Sequence, residues 1–255
     1  MTPVAGEPFF LTMDGRRLSA SPGVSLLEVA RAAGISIPTL CDHPDLEPVG
    51  ACRLCLVEVT HPEWGGWSGL MAACLYPAAP GLQVSTHSTQ VKAVRRGVLA
   101  LLAARCPSST VIQQMARKEG ATLERLVVDP DADSCVLCGL CTRVCEAYAT
   151  SAISSANRGI RRKVGAPFEE PPAHCIGCGA CARVCPTDHI QDRRDEAGYA
   201  IWGREFPASV CAVIPGRCVG CGVCEEACPF DVPRVVMHKD GPRTARIPAA
   251  SCRGR

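Results

Sequence analysis

One cysteine spacing occurs three times in the chain, as CVLCGLCTRVC (residues 135–145), CIGCGACARVCP (175–186) and CVGCGVCEEACP (218–229). Each copy follows the pattern C-x2-C-x2-C-x3-C, and the second and third copies end in Cys-Pro. Two-residue gaps allow a tight turn to direct successive sulfur atoms toward one centre. Glycines at positions 139, 177, 179, 220 and 222 have the conformational freedom that such a turn requires. The repeat therefore predicts three metal-binding loops of one kind.

This spacing is typical of bacterial ferredoxins, in which three thiolates of a run bind one [4Fe–4S] cube and the fourth binds the neighbouring cube. Zinc sites usually show two C-x2-C pairs with a longer spacer. Disulfides require an oxidising compartment and would leave the triple repeat unexplained. The crossover assigns two complete ligand sets, the first being Cys135, Cys138, Cys141 and Cys185, and the second Cys175, Cys178, Cys181 and Cys145.

The third run predicts a third cube, whose first three ligands are Cys218, Cys221 and Cys224. Its fourth ligand stays open, because a crossover needs a complete partner run and none is left. Either Cys228 closes the cube with an altered geometry, or one of the spare residues Cys211 and Cys252 closes it.

Composition favours small modules built around inorganic centres. The 255 residues include nineteen cysteines but only five Phe, three Tyr and three Trp. A formal net charge of +2 gives no electrostatic indication of nucleic-acid binding. No apolar run approaches the length that spans a bilayer, and the first residues show no secretion signal. We therefore expect a cytosolic protein, in which so many thiols act as metal ligands.

The N-terminal part reads as strand, strand and helix. Residues 9–20 give two short apolar runs around an Asp14-Gly15 turn, the signal of a β-hairpin. Residues 22–34 predict a helix that Ser25 caps, with Glu28 three residues later and Gly34 at its end. This order is the opening of a β-grasp domain and leads into a cysteine-rich loop. The cysteines that follow are Cys41, Cys52, Cys55 and Cys74, whose spacing alone leaves zinc as an alternative.

Two segments resemble the N-terminal domain of the large iron–sulfur subunit of respiratory complex I. They are IPTLCDHPDLEPVGACRLCLVEV (37–59) and MAACLYPAAPGLQV (71–84). Similar domains begin the small diaphorase subunit of soluble NAD-linked [NiFe] hydrogenases and the iron-only hydrogenases. The resemblance implies that Cys41, Cys52, Cys55 and Cys74 hold a [2Fe–2S] cluster. It extends over about residues 9–190, because 135–190 is similar to that family's two-cluster ferredoxin domain.

The chain departs from this family between the two domains. Residues 88–118 predict two helices with a break at Cys106-Pro107. In the family, this region leads into a [4Fe–4S] site of one histidine and three cysteines. Here only Cys106 lies in the region, and His87 precedes it, so we predict that this cluster is absent and that Cys106 is a small buried residue.

The predicted fold class is α+β with four segments. These are a β-grasp [2Fe–2S] domain (1–86), a helical linker without the histidine-containing site (87–130), a bacterial-type two-cluster ferredoxin domain (131–192) and a ferredoxin-like extension with the third cube (193–255). Within these ranges, Asp129-Pro130 marks a boundary, 191–198 is solvated surface or linker, and 198–206 is a short hairpin.

The absence of catalytic motifs decides the expected function. The chain has no nucleotide-binding glycine pattern, P-loop or nucleophile elbow. We expect no catalytic residues, and the six scattered histidines are expected at the surface or beside clusters. Solvated surface is the default expectation for the basic residues near the runs, and the alternative is that they offset the negative charge of the clusters or dock a partner. These residues are Arg143, Arg161, Arg162, Lys163 and Arg183.

One [2Fe–2S] cluster and three [4Fe–4S] clusters then make the chain an electron-transfer subunit of a cytosolic multisubunit oxidoreductase. The resemblance implies a flavin- and NAD(P)-binding subunit on one side. On the other it implies a catalytic subunit such as a hydrogenase, a formate dehydrogenase or another low-potential reductase. A free polyferredoxin carrier is the alternative, and purely structural clusters are a weaker one because no basic surface or nucleic-acid enzyme domain accompanies them.

Overall fold

The computed structural model describes residues 7–124, 126–128, 133–166, 168, 170–195, 198–207, 211–228, 231–237, 241 and 243–247. It separates into two compact units, Met1–Gln191 and Asp192–Arg255. The helices of the first unit are α1 (Leu26–Ala32), α2 (Thr89–Arg105), α3 (Thr110–Glu119), α4 (Leu140–Tyr148) and α5 (Ala180–Arg183). Its strands are β1 (Phe9–Met13), β2 (Arg16–Ala20), β3 (Leu56–Thr60), β4 (Ser68–Ala72), β5 (Gln83–Ser85), β6 (Ser154–Ala156) and β7 (Lys163–Gly165).

A five-stranded sheet organises the N-terminal part, in the order β2-β1-β5-β3-β4. Strands β1 and β2 form the predicted hairpin, and both turn residues, Asp14 and Gly15, have positive φ angles of 49° and 77°. That conformation suits the tight turn of a twisted hairpin. Strand β5 runs parallel to β1 and antiparallel to β3, so the sheet is mixed.

Helix α1 covers this sheet and begins at the predicted cap. Ser25 accepts a hydrogen bond from the Glu28 amide, and the Glu28 carboxylate accepts one from the Ser25 amide. This reciprocal arrangement satisfies two amides that a helix end leaves free. Leu26, Leu27 and Ala30 are buried against the inner side chains of the strands, which include Leu11 and Val57. The resulting core includes Cys55, just before β3, and Cys74, just after β4.

Helices α2 and α3 form an antiparallel pair whose break lies at the predicted position. Cys106 ends α2, and Ser109 caps α3 by accepting a hydrogen bond from the Ile112 amide. The pair buries Leu99, Ile112 and neighbouring side chains against Leu40 and Leu54, which flank the first cysteine loop. The helices therefore support that loop from the side opposite the sheet core.

Each of the first two cysteine runs is a tight loop that leads into a short helix. Gly139 and Gly179 precede α4 and α5 in the left-handed conformation, with φ angles of 75° and 72°. A side chain is strained there, which explains the glycines. Helices α4 and α5 contact each other, and strands β6 and β7 form a hairpin between the two runs.

The described residues of the second unit include two small sheets and the third cysteine loop. Strands β8 (Asp192–Asp195), β9 (Gly198–Ile201) and β10 (Arg204–Pro207) form an antiparallel sheet in the order β10-β9-β8. Helix α6 (Val223–Ala227) follows the third loop, and β11 (Arg234–Val236) pairs with β12 (Thr244–Arg246). The hairpin predicted at 198–206 is confirmed.

Residues 191–198 were predicted to be solvated surface or linker. Residues 192–195 are a strand paired with β9, although their side chains are exposed as expected. The polar composition gave no indication of this strand, because an edge strand that contributes nothing to a core lacks the alternating apolar pattern. The boundary at Asp129-Pro130 lies outside the described residues.

Along the described ranges, no helix is both long enough and apolar enough to cross a bilayer.

Candidate iron–sulfur sites

The four N-terminal cysteines lie together as two sulfur pairs. The Cys52 amide donates to the Cys41 sulfur over 3.3 Å, and the Leu40 amide donates to the Cys52 sulfur over 3.4 Å. The sulfur atoms of Cys55 and Cys74 are 3.4 Å apart. Cys41, Cys55 and Cys74 are buried, and Cys52 is partly buried. A two-iron cluster needs two thiolates for each iron, and the two sulfur pairs, Cys41 with Cys52 and Cys55 with Cys74, match that requirement.

Pairing and burial shift the acidity of these thiols in opposite directions. Sharing a hydrogen bond with Cys52, together with burial, raises the pKa of Cys41, whereas the same bond lowers the pKa of Cys52 to about 5. In the second pair, the hydrogen bond to Cys74 lowers the pKa of Cys55 to about 7, and it raises the pKa of Cys74. Backbone amides at Leu54 and Leu40 also stabilise negative charge on Cys52. In each pair, the hydrogen bond therefore stabilises one thiolate, that of Cys52 or Cys55, and keeps the other thiol protonated as its donor.

The next four ligands surround one cavity in the first unit. Its lining includes the sulfur-bearing residues Cys135, Cys138, Cys141 and Cys185. The wall is completed by Val136, Gly139, Val164, Thr187, His189 and Ile190. Three of the cysteines come from the first run and one from the second, so the structure brings together the set that the ferredoxin crossover predicts.

Burial dominates the acidity of this set. It raises the pKa of Cys135, of Cys138 to about 11 and of Cys141 to about 12, and the neighbouring cysteines add to the increase. The Leu137 amide, which donates to the Cys135 sulfur over 3.4 Å, opposes this increase at Cys135. The His189 amide donates to the Cys185 sulfur over 3.3 Å. Bound iron deprotonates such thiols outright, so four clustered cysteines, three of them buried and two accepting backbone amide bonds, fit an iron–sulfur cube.

The second crossover set is divided among α4, the loop before α5, and α5 itself. Cys145 lies on α4, and its sulfur accepts a hydrogen bond from the Ala152 amide over 3.3 Å. Thr150 donates to the His174 oxygen over 2.7 Å, which ties the segment after Cys145 to the residue before Cys175. Cys181 is buried, whereas Cys178 is exposed. This second set therefore lies nearer the surface than the first.

The third loop is supported from one side by the β11–β12 hairpin. The Ala245 amide donates to the Cys218 sulfur over 3.2 Å, and amide bonds from Ala245 and Gly220 lower the pKa of Cys218. A Cβ atom on Gly220 would lie 2.5 Å from the Arg243 oxygen, so only glycine fits there. Cys221, Cys224, Cys228 and Cys211 are all described, whereas Cys252 is not. The choice of fourth ligand remains a prediction.

Arg143 links the [2Fe–2S] loop directly to the helix after the first run. Its guanidinium donates to the main-chain oxygens of Cys41 and Glu47, each over 2.6 Å. Tyr148, one helical turn further on, donates to the Asp45 oxygen over 2.7 Å. Beside these bonds, Cys41 packs in one buried cluster with Cys138. The prediction that Arg143 lies on solvated surface was wrong.

A second arginine also has a structural role that the sequence did not predict. Arg95 of α2 is buried and donates to the oxygens of Leu54, Leu56 and Thr86 over 3.2, 3.2 and 3.3 Å. Leu54 and Leu56 flank Cys55, so the side chain fixes helix α2 to the ligand loop. Burial lowers the pKa of Arg95, but a guanidinium stays charged in proteins. Helical arginines are usually exposed, and only knowledge of the packing reveals this one.

His87 and Cys106 lie in different surroundings. The His87 ring is exposed and contacts Asp14 and Thr86. Cys106 is fully buried among Leu99, Ile112 and their neighbours, as predicted for a small core residue. Burial raises the pKa of Cys106 to about 12, so its thiol is protonated at neutral pH.

Comparisons with known proteins bear on both cluster regions. Residues 6–89 match the family described as a 2Fe-2S iron-sulfur cluster binding domain. Residues 134–189 and 174–232 each match a 4Fe-4S dicluster domain, so the second match includes the third run. The chain is therefore a mixed α/β protein with a [2Fe–2S] domain followed by a dicluster ferredoxin region, in the predicted order.

Several characterised proteins are similar to parts of the chain. The NADH-quinone oxidoreductase G subunit of Mycobacterium tuberculosis is 33% identical over 65% of this chain and 23% of its own length. The alpha subunit of the NADPH-Fe(3+) oxidoreductase of Geobacter sulfurreducens is 30% identical over 58% of this chain and 20% of its own length. The HndD subunit of the NADP-reducing hydrogenase of Solidesulfovibrio fructosivorans is 30% identical over 62% of this chain and 31% of its own length. The chain spans about a quarter of the length of the first of these relatives.

A solved structure extends the similarity to the fold. A chain in the crystal structure of an NAD+-reducing [NiFe]-hydrogenase in the H2-reduced state superposes with a TM-score of 0.61 at 28% identity. The match covers 79% of this chain and 91% of the hydrogenase chain. Together with the complex I relatives, it confirms the resemblance predicted from residues 9–190.

Proposed function

We propose that the chain is an electron-transfer subunit of a multisubunit oxidoreductase, passing single electrons between a flavin- and NAD(P)-binding subunit and a low-potential catalytic subunit. The observation that carries this proposal is the buried packing of Cys41, from the [2Fe–2S] set, against Cys138, from the first cube set. Two ligand sets in contact give electrons a short path between their metal centres. The similarity to subunits of NAD(P)-linked oxidoreductases and hydrogenases supports the same function.

The proposed cofactors are one [2Fe–2S] and three [4Fe–4S] clusters, which supply reversible one-electron transfer when bound. The residues of the chain hold the clusters, donate amide hydrogen bonds to their ligands and bury them, which are the means by which a protein sets a reduction potential. For the third cube we propose Cys218, Cys221 and Cys224, with Cys228, Cys211 or Cys252 as the fourth ligand. The dicluster match over 174–232 supports a cube at this run.

The proposed domain organisation follows the predicted segments. Residues 1–86 form a β-grasp domain, supported by the mixed five-stranded sheet under α1. Residues 87–130 are the helical linker, 131–192 the two-cluster domain and 193–255 the extension, and the division after Gln191 supports the last boundary. We retain the cytosol as the proposed location, because nineteen cysteines in this pattern suit a reducing compartment.

Anaerobic purification from the native cell tests the proposal. The chain is expected to co-purify with other subunits and to hold about fourteen irons, the sum for one [2Fe–2S] and three [4Fe–4S] clusters. About ten irons would remove the third cube, and stoichiometric zinc would contradict the N-terminal assignment. A free carrier, the second candidate, would elute near the 26.9 kDa mass of the chain alone.

A further inference from the structure

The first and third cysteine loops have the same backbone conformation. Leu137 and Gly220, each two residues after the first cysteine of the run, have φ angles of 53° and 63°. Gly139 and Gly222 then precede α4 and α6 with φ angles of 75° and 85°. Positions can therefore be compared one by one: Val136, Cys138 and Leu140 of the first loop correspond to Val219, Cys221 and Val223 of the third.

In the first loop, this row of three residues is a contact surface with another cluster site. Cys138 and Leu140 are only 9% and 4% exposed, and they pack in one cluster with Cys41 and with partly buried Val136. The apolar row after the first cysteine thus serves to bring a cube against the ligand loop of a second redox centre.

In the third loop, the corresponding row faces solvent. Val219 is 80% exposed and Val223 is 61% exposed, and the Cys221 side chain between them is exposed as well. The opposite side of the loop is already covered, because Cys218 and Gly220 lie against Ala245 and Arg243 of the second unit. A partner that covers the two exposed valines beside the ligand cysteine removes their apolar surface from water, which favours binding.

The charges around the row differ between the two loops. In the first loop, Arg143 of α4 donates to main-chain oxygens of the neighbouring redox site. The corresponding position on α6 is Glu226, which is exposed, while its neighbour Glu225 accepts a hydrogen bond from the Val235 amide. A carboxylate at this position attracts a basic side chain or an N–H group instead of an oxygen.

We propose that Val219, Cys221 and Val223 form a docking surface for a second protein's redox centre, one that presents an apolar ligand loop or cofactor edge beside a Lys or Arg side chain. This inference rests on the proposed function, because it takes the third run to hold a cube. Transfer across the surface moves one electron: the reduced cube is oxidised by one electron and the partner's centre is reduced by one, or the reverse. In the second loop the corresponding residues are Ile176, which is 60% exposed, the exposed Cys178, and Ala180, which is smaller than Val223.

Photocrosslinking in the native cell tests the surface. The benzophenone amino acid p-benzoylphenylalanine replaces Val219 or Val223 in separate strains, and it replaces the 94% exposed Val127 in a control strain. We expect a one-to-one adduct from the first two positions, with the crosslinked peptide next to a redox centre of another subunit and containing a basic residue. An adduct no stronger than that from position 127, an adduct to a second copy of the chain, or a peptide remote from any redox centre would overturn the proposal.

Kinetics in the purified complex provide the second test. Val219→Asp is expected to slow electron exchange between the third cube and the rest of the complex by about tenfold, with unchanged iron content and unchanged reduction by dithionite. Val127→Asp should exchange electrons at the wild-type rate, and equal rates in both variants would refute docking at this surface. Should Val219→Asp lose iron, Glu226→Lys replaces it, because Glu226 is exposed on α6 and is not a proposed ligand. The expected result is the same slowing, which diminishes as salt screens the new repulsion.

The two proposals fail in different ways. A wild-type chain with about ten irons contradicts the third cube before any substitution is made. A chain with about fourteen irons, whose variants exchange electrons normally, contradicts only the docking surface.

Discussion

The Arg143 guanidinium donates a hydrogen bond to the main-chain oxygen of Cys41 over 2.6 Å. Arg143 is two positions after Cys141, a proposed ligand of the first cube, and Cys41 is a proposed ligand of the [2Fe–2S] cluster. A second bond, to the Glu47 oxygen, makes the contact bidentate, so it fixes orientation as well as distance. The positive charge also lies between two sites that carry negative charge when their clusters are bound. Arg143 can thus hold the two sites in register and favour their reduced states.

Two substitutions of Arg143 separate its effect on the positions of the two sites from its effect on their reduction potentials. Arg143→Leu removes both charge and hydrogen bonds, so we expect the potentials of the [2Fe–2S] cluster and the first cube to fall by on the order of 60 mV, the equivalent of a tenfold change for one electron. Arg143→Lys keeps the charge but loses the planar bidentate fork. It should restore most of the potential while electron exchange between the two clusters remains slow. Redox titration followed by EPR measures the potentials, and rapid-freeze kinetics measure the exchange.

Tyr148→Phe is the matched control for that experiment. It removes one neutral hydrogen bond from the same helix to the same loop, at the Asp45 oxygen, and leaves the charge in place. The potentials should stay at their wild-type values. If Arg143→Leu also leaves potentials and exchange unchanged, the arginine is a structural tie without influence on the clusters.

The crossover of the first two runs can be tested by single ligand replacements. Cys185 lines the cavity formed by the first run, so Cys185→Ser should damage the first cube, although the residue belongs to the second run. Cys145→Ser should damage the second cube instead. Mössbauer and EPR spectra distinguish the two, because only loss of the first cube removes the magnetic neighbour of the [2Fe–2S] cluster. The opposite pattern would mean that each run closes its own cube.

The sequence predicted those parts of the fold that local signals determine. The hairpin turn at Asp14-Gly15, the cap at Ser25 and the break at Cys106 each depend on residues a few positions apart, and each appears where predicted. The crossover set was predictable because the cysteine spacing encodes a long-range contact. Strand β8 was missed, since an exposed edge strand lacks apolar alternation.

The contacts of Arg95 and Arg143 could not be predicted from the sequence. Arg95 and Arg143 act on main-chain oxygens that lie about forty and one hundred positions away in the chain. Carbonyl groups are present at every residue, so no pattern marks the partner. Only the packing of α2 and α4 against the cysteine loops selects it. A run of basic residues therefore predicts surface on average and says little about a particular arginine.

Cys106 is expected to be dispensable for iron binding. It lies in the apolar core of α2 and α3, and burial raises its pKa to about 12, so at neutral pH it is an uncharged thiol. Cys106→Ala should leave the iron count and the spectra unchanged and should lower the free energy of unfolding by roughly 1 kcal/mol, the usual effect of a small core truncation. His87→Ala should change neither. Loss of a cluster in either variant would show that a histidine-containing site exists here after all.

Arg95 is expected to stabilise the [2Fe–2S] loop more than any surface arginine. Arg95→Met keeps much of the side-chain volume but leaves three buried main-chain oxygens, those of Leu54, Leu56 and Thr86, without their donor. A buried acceptor without a partner costs about 1–3 kcal/mol, so the variant should lose at least about 2 kcal/mol of unfolding free energy. Because Leu54 and Leu56 flank Cys55, the [2Fe–2S] cluster should be lost at lower temperature than the cubes.

Arg96→Met is the neighbouring control, since Arg96 is exposed and its described hydrogen bond goes to the Lys92 oxygen of its own helix. Thermal melts followed by visible circular dichroism compare the two, and equal melting of the variants would contradict a structural role for Arg95.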